Sequence, residues 1–481
     1  VASSRTSGPD IAPSPRIAGR FGVARRDVTP PVGIFFRNWG AATTDVAAGV
    51  HRPFSATALT LRSTIDEPPL VLVALDAGWW QSAEDEHFVR SGALDALGIE
   101  PERLMINLSH THAGPPLVSA NEDRPGGEHV RPYLAAVRDA IAAAAREALD
   151  GEAEGELRWS VGRCDLATNR SRWDAEGDRF VTGFEPTNDA DDTLLVGRIT
   201  AADGSVRATI VNYACHPTTL AWDNDLLSPD YVGAVRETVE ADTGDAPCMF
   251  LLGACGELAP ALQYVGDPAV ADSHGRRLGL ATCAVLEGML PHGHDLVFDR
   301  IVESGAPLAV WGRRARAARR HSAQAHPGTL PLPIKANYPT LDAIDAELVG
   351  AAEPYVRERL LRKRRLRETL GDAAAYHMPV WIWHVGCTVF VGYPAEAFSS
   401  LQADLRAAFP DHAVVVMNVV NGSIGYLPPA ELYEEDMYEV WQTPLERGCL
   451  ERLRDHAIIT IRTLDGTDEG NAGRLRGEQG P

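Results

Sequence analysis

A chain of 481 residues with 45% hydrophobic content can bury a large core and corresponds to one large or two to three ordinary domains. Its formal charge of -21, from 66 acidic and 45 basic residues, repels phosphate backbones and argues against nucleic acid as a partner. No apolar run approaches the roughly 18 residues that span a bilayer, so no transmembrane segment is expected. Seven cysteines, at 164, 215, 248, 255, 283, 387 and 449, form no Cys-x-x-Cys pair. That argues against a disulfide framework and against a cysteine-based zinc cluster. Val1–Arg16 is rich in Ser, Pro and Ala without the apolar segment of a signal peptide, and residues 1–16 are expected to form a disordered tail. Cytoplasmic location follows, with a secreted form whose signal peptide is absent from this chain as the alternative.

Ordered structure is expected from Ile17, with a proline-fixed turn at Asp27-Val28-Thr29-Pro30-Pro31. Phe54–Leu61 and Leu70–Leu75 read as strands, the second ending at Asp76, which reads as a cap for the following helix or as a partner of a ligand histidine. The apolar run Met105–Leu108 stops at Ser109-His110-Thr111-His112-Ala113-Gly114-Pro115. If the extended conformation continues, His110 and His112 project from one face, as suits a zinc ion, a proton-transfer pair, or simply an exposed strand end. Val130–Leu149 places Tyr133, Leu134, Val137, Ile141, Ala144 and Ala145 on one helical stripe. Trp159–Leu166 is strand-like and runs into Asn169-Arg170-Ser171, whose arginine reads by itself as a surface ion-pair partner.

Ala208–Cys215 is another strand ending in a histidine, His216, followed by a helix over Tyr231–Glu240 capped by Asp230. Ligands collect outside the carboxyl ends of strands in helix-covered sheets, so two strands ending in histidine point to one convergence. Met249–Leu252 reads as a buried strand ending in Gly253-Ala254-Cys255-Gly256-Glu257, where Glu257 is a candidate general base. Val270–Leu290 reads as a helix with Gly275 and Gly279 at close-packing positions and a structural His274. Residues 306–338 show no stable period and read as an excursion that forms a lid or contact surface. Leu341–Leu370 reads as a helical stretch broken at Pro354, and its basic run Arg357–Arg367 as a solvated face. Val389–Val391 leads to Glu396, a helix-start carboxylate or a metal ligand, and Val414–Met417 leads to Tyr426, a packing residue or a phenolate ligand. The fold class expected is α/β, with a mixed β-sheet core, flanking helices and an active site in loops at the strand ends.

Ser109-His110-Thr111-His112-Ala113-Gly114-Pro115, Asn169-Arg170-Ser171, Cys215-His216-Pro217-Thr218, Gly256-Glu257-Leu258-Ala259-Pro260, Pro394-Ala395-Glu396 and Gly425-Tyr426 occur in one order along the chain. In that order they resemble the catalytic region of the neutral/alkaline ceramidase family, from about Gly22 to Arg462. The resemblance implies a zinc ion held by His110, His216, Glu396 and Tyr426, with His112 as acid/base and Arg170 at the scissile carbonyl. It implies a ceramidase-like metal-dependent hydrolase unit over 17–466, with a lid or helical insertion at 306–371 and a polar tail at 467–481. The chain departs from the family at Ala259, where ceramidases carry a serine, and lacks the length after Arg462 for their immunoglobulin-like carboxyl-terminal domain.

The expected function is therefore zinc-dependent hydrolysis of an amide bond by a metal-activated water, with His112 moving the proton, Glu257 assisting and Arg170 stabilising negative charge. The substrate expected is a small-molecule or lipid-like acyl compound other than ceramide, and homo-oligomerisation stays open. An esterase or lactonase, and a non-catalytic metal- or ligand-binding relative, are the alternatives.

Overall fold

The computed structural model describes residue 11 and residues 14–477, apart from the side chains of Pro354 and of 467–477. Eight strands form the larger sheet: β1 (Arg16–Asp27), β2 (Ser55–Arg62), β3 (Leu70–Leu75), β4 (Leu104–Leu108), β5 (Ala153–Arg163), β6 (Thr193–Ala201), β7 (Val206–Tyr213) and β8 (Cys248–Leu252). Their order is β8-β7-β6-β5-β1-β2-β3-β4. The outer pairs β7/β8 and β3/β4 are parallel and the rest antiparallel, so the sheet is mixed as expected. A second sheet contains β9 (Gln324–Pro333), β10 (Ala375–Val385), β11 (Thr388–Gly392) and β12 (Ala413–Met417), in that order, with β11/β12 parallel.

Side-chain alternation sorts these strands into layers. Val71, Val73, Leu75, Ile106 and Leu108 pack with the helices α1 (Ala83–Leu97), α2 (Val130–Asp150), α3 (Tyr231–Asp242) and α4 (Pro268–Glu287). The intervening residues Leu70, Leu72 and Met105 face the other way, onto Trp381, Trp383, Phe390, Val415 and Met417 of the second sheet. Val380, Ile382, Val389, Val391 and Val416 then pack against α7 (Ser400–Ala408) and α9 (Cys449–Gly477). The order of layers is helix, sheet, sheet, helix. Between them, α5 (Leu341–Gly350), α6 (Pro354–Leu370) and the short α8 (Tyr438–Gln442) complete the helices.

The helical periodicity of 130–149 is realised in α2, whose Tyr133, Leu134, Val137, Ile141, Ala144 and Ala145 are all buried. Asp230 caps α3 by accepting from the Tyr231 amide. A Cβ at Gly275 or Gly279 would run into Tyr231, Ala234 or Thr238 of α3, so those glycines set the α3/α4 approach. The stretch 341–370 breaks as expected, with Pro354 opening α6.

Several expectations are corrected. Residues 306–338 contain regular structure: Pro307–Ala315 pairs with His294–Glu303, and β9 pairs with β10. Their polar character hides them because Pro307–Ala315 is largely exposed and His294–Glu303 mostly half-buried, and β9 tolerates its prolines because it is an edge strand. Asp76 caps no helix; Ser82 caps α1, while Asp76 accepts from the Ser55 amide and pairs with Arg236 of α3. Glu396 starts no helix, since it lies on the two-residue strand Glu396–Ala397 and α7 begins at Ser400. The expected tail 1–16 falls mostly on residues 1–10, 12 and 13, outside the described residues, and its last residue, Arg16, begins β1. Of the expected tail at 467–481, residues as far as Gly477 continue α9 and 478–481 lie outside the described residues. All seven cysteines are free, and no described helix is long and apolar enough to cross a membrane.

Buried asparagines join the two sheets at one end. Asn107 donates to Asn418 O at 2.6 Å and accepts from Leu252 N at 2.9 Å. Asn212 donates to Leu251 O and Val416 O, and Asn421 bonds both Ile106 N and Leu104 O. Replacing Asn107 by Leu leaves two buried backbone groups without partners, each costing about 1–3 kcal/mol. Denaturant unfolding should therefore show a loss of at least about 2 kcal/mol; an unchanged midpoint would remove the stitching role of Asn107.

Candidate metal centre

The stitched end is where both sheets present the carboxyl ends of their parallel strands. Beyond β4 the chain stays beside residues 76–79 through Ser109 N to Leu75 O and Thr111 N to Ala77 O. His110 has a positive φ of 65°, so the extended conformation ends before it. The strand-alternation reading of His110 and His112 is thus corrected: a turn places the rings 5.0 Å apart and nearly perpendicular. His216, just past β7, is held by its amide to Leu258 O. Glu396 and Tyr426 arrive from the second sheet on paired two-residue parallel strands, in register with each other. Gly256 must be small because a Cβ there would meet Phe398 and the Glu396 carbonyl.

His110 Nε2 and His216 Nε2 lie 3.3 and 3.0 Å from the same Glu396 oxygen, Oε2. All three residues are buried, and their ligand atoms lie within 4.8 Å of one another. The opposite ring nitrogens face backbone carbonyls: His110 Nδ1 to Gly78 O at 3.1 Å, and His216 Nδ1 to Cys255 O at 2.6 Å and Leu258 O at 3.1 Å. Such partners assign the proton of a neutral ring to Nδ1 and turn the Nε2 lone pair inward. Burial pushes His216 down to about 4, with Arg170 adding to the fall, so this ring is neutral. Two lone pairs converging on a carboxylate oxygen need a cation among them, and carbonyl-anchored imidazoles are the arrangement seen at metal ligands. The donor set fits Zn2+.

His112 stays outside that trio. It packs between Trp39 and Trp79 at 5.3 and 5.0 Å, and its buried Nε2 has no hydrogen-bond partner among the described residues. Burial above all holds it well below the ordinary histidine range. Burial raises the Tyr426 phenol, with Arg170 acting against that rise.

Arg170 is no surface residue. It is 3% exposed, bonds Glu439 through Nε at 3.0 Å, and reaches Gly256 O at 2.7 Å and Tyr426 Oη at 3.2 Å through Nη2. Glu439 is a buried partner of this group that the sequence did not reveal, since nothing local distinguishes it from a surface acid on a short helix. Glu257 is not brought into the group. Its carboxylate accepts from the Ser399 amide at 3.0 Å and from the Ser399 hydroxyl, and lines a separate cavity with Asn169, Ser171 and Phe398. The expected assistance of His112 by Glu257 therefore has no contact behind it. Ala259 is fully buried on a short strand paired with residues 167–169.

A cavity of about 110 Å3 opens on His110, His112, Glu396 and Tyr426 and is walled by Trp79, Trp80 and Tyr438. Its remaining wall is α6, through Arg362, Lys363, Arg365, Leu366 and Thr369. The solvated-face reading of the basic run is corrected at these positions. A second trio, His384, His412 and Asp465, has metal-like spacing but lies away from this cavity and ties α9 to the second sheet.

Two buried imidazoles thus face one carboxylate beside a tyrosine and a third histidine, a donor set that could hold a metal ion. By sequence the chain matches no protein-family model and no curated protein. Among solved structures it is similar to the neutral ceramidase from Pseudomonas aeruginosa, at 18% identity and a TM-score of 0.65, over 94% of this chain and 75% of that one. It is similar also to a ceramidase complexed with C2, at 17% identity and a TM-score of 0.64, over 92% and 75%. The chain has the neutral ceramidase fold.

Glu257 gives a pH prediction. Burial raises its carboxyl to about 7 despite the Ser399 bonds. The folded state then keeps a proton that the unfolded chain loses near pH 4.5, so the stabilisation is complete below that pH and is lost as pH rises through about 7. Relative to Glu257→Gln, the wild type should lose up to roughly 3 kcal/mol between pH 4.5 and 8 in denaturant titrations. Parallel pH profiles for the two proteins would contradict the raised carboxyl.

Proposed function

We propose that this protein is a metal-dependent amidohydrolase of the neutral ceramidase family that cleaves an acyl-amine bond in a substrate other than ceramide. The observation that carries the reading is the pair of carbonyl-anchored imidazoles aimed at one Glu396 oxygen. The likeness in fold to ceramidases supports it. Zn2+ held by His110, His216, Glu396 and Tyr426 would supply Lewis acidity to the substrate carbonyl and lower the pKa of a water.

The chain's own residues do the rest. His112, neutral and with Nε2 unpartnered, takes the proton from the attacking water and returns it to the leaving nitrogen. Trp39 and Trp79 exclude bulk water around that ring. Arg170 acts through Tyr426, whose hydroxyl it orients at 3.2 Å, while Glu439 keeps the guanidinium in place. None of these steps needs a hydroxyl nucleophile, which accords with alanine at 259.

Elemental analysis of the zinc-loaded full chain should give metal in His216-dependent stoichiometry, and an acyl-amide panel should give zinc-dependent amine release. His216→Ala should lose both. His112→Ala should keep the metal and lose about 10²–10⁴ in kcat. Full turnover by metal-free His216→Ala would sink the proposal, and release of alcohols from esters without any amine release would move it to an esterase.

A further inference from the structure

The cavity over the metal centre has a charged wall that the hydrolase reading does not use. Arg362, Lys363 and Arg365 occupy one turn of α6 and all line it, whereas Glu396 is its one acidic lining residue. The carboxylates of α6 do not neutralise this wall evenly: Glu358 pairs with Arg362 at 3.2 Å and Glu368 pairs with Arg364. Arg365 is bonded to neutral oxygens, Gln81 Oε1 at 2.6 Å and Asn121 Oδ1 at 2.9 Å, and has no ion pair among the described residues. Lys363 has neither a hydrogen bond nor an ion pair among the described residues. Arg362 lies over the Trp79 ring at 5.2 Å, which carries its charge next to His112.

Three cations in a narrow cavity, on a chain whose net charge is -21, focus positive potential where a substrate would sit. A neutral two-chain lipid gains nothing from such a wall and must desolvate it. The cavity, at about 110 Å3, is also far below the roughly 300–1,000 Å3 of pockets that enclose a larger ligand. Trp79, Trp80, Leu366 and Tyr438 supply apolar lining against which a short acyl group would pack.

We propose that Arg362, Lys363 and Arg365 form an anion subsite, so that the substrate is a small acyl amide carrying an oxyanion, carboxylate or phosphate, close to the scissile bond. This rests on the amidohydrolase reading for the bond that is cut, but the subsite itself does not. Guanidinium forks match both oxyanions, with lysine adding a point charge.

The test compares N-hexanoylglycine and N-hexanoyl-O-phosphoethanolamine with their neutral counterparts, N-hexanoylglycinamide and N-hexanoylethanolamine, on the zinc-loaded full chain. The expected result is a preference in kcat/KM of at least tenfold for one or both anions, the larger ratio telling carboxylate from phosphate. Lys363→Glu, at a half-buried position without bonds to break, should bring that ratio at least tenfold down, and Arg365→Gln should do so too. Calorimetry of the same four compounds gives a readout independent of turnover. Should nothing be hydrolysed, the amidohydrolase reading fails, while tighter binding of the anions, lost in Lys363→Glu, still upholds the subsite. Equal handling of anionic and neutral partners in both assays, or a ratio that Lys363→Glu leaves unchanged, overturns it.

Discussion

Everything at the candidate metal centre depends on holding two sheets in register at one end. His110 and His216 descend from the larger sheet and Glu396 and Tyr426 from the smaller, so a slip of about one residue, roughly 3.3 Å, would separate polar atoms that now lie 3.0 Å apart. Apolar packing between the sheets, through Trp383, Phe390 and Met417, supplies cohesion but little directional information. The buried amides of Asn107, Asn212, Asn418 and Asn421 supply the direction. Asn107, Asn212 and Asn421 bond backbone groups across the sheet boundary, Asn418 holds both backbone groups of Ala397, and a buried amide displaced from such partners is costly. Sheet registry and site geometry are thus one constraint.

A second fixed point is the buried Arg170–Glu439 pair. Such a pair contributes little net stability, because desolvation offsets most of the attraction. Its value here is geometric: the guanidinium bridges Gly256 O, from the loop after β8, to Tyr426 Oη, from the loop after β12. It therefore ties the two sheets at a further point and sets where the phenol points.

Much of the architecture was legible in the sequence because periodicity is a local signal. The runs at 70–75, 249–252 and 414–417 and the helical stripe over 130–149 were readable from hydrophobic pattern alone, and the histidines at strand ends pointed to one edge. What was hidden depends on distant partners. Arg170 looked like a surface residue because Glu439 lies 269 positions away. The asparagines carry no local signal of a stitching role, since the residue type more often favours turns. Glu396 resembled a helix start because an apolar helix follows within a few residues, and the basic run of α6 resembled a solvated face because charge pattern cannot reveal what lies across a cavity. The ligand set itself came from the family likeness rather than from spacing.

Unpartnered polar atoms sharpen where function resides. Buried donors and acceptors without partners each cost about 1–3 kcal/mol, and a folded chain keeps few of them without a reason. In this protein Asn38 Oδ1, Trp39 Nε1, Trp80 Nε1, Gln81 Nε2, His110 Nε2 and His112 Nε2 are all of this kind. Trp80, Gln81 and both histidines line one cavity, and Trp39 packs on His112 behind it. Such atoms at one cavity accord with a site that would receive a cation, a water and a polar substrate, since each of those species would give an orphaned atom a partner.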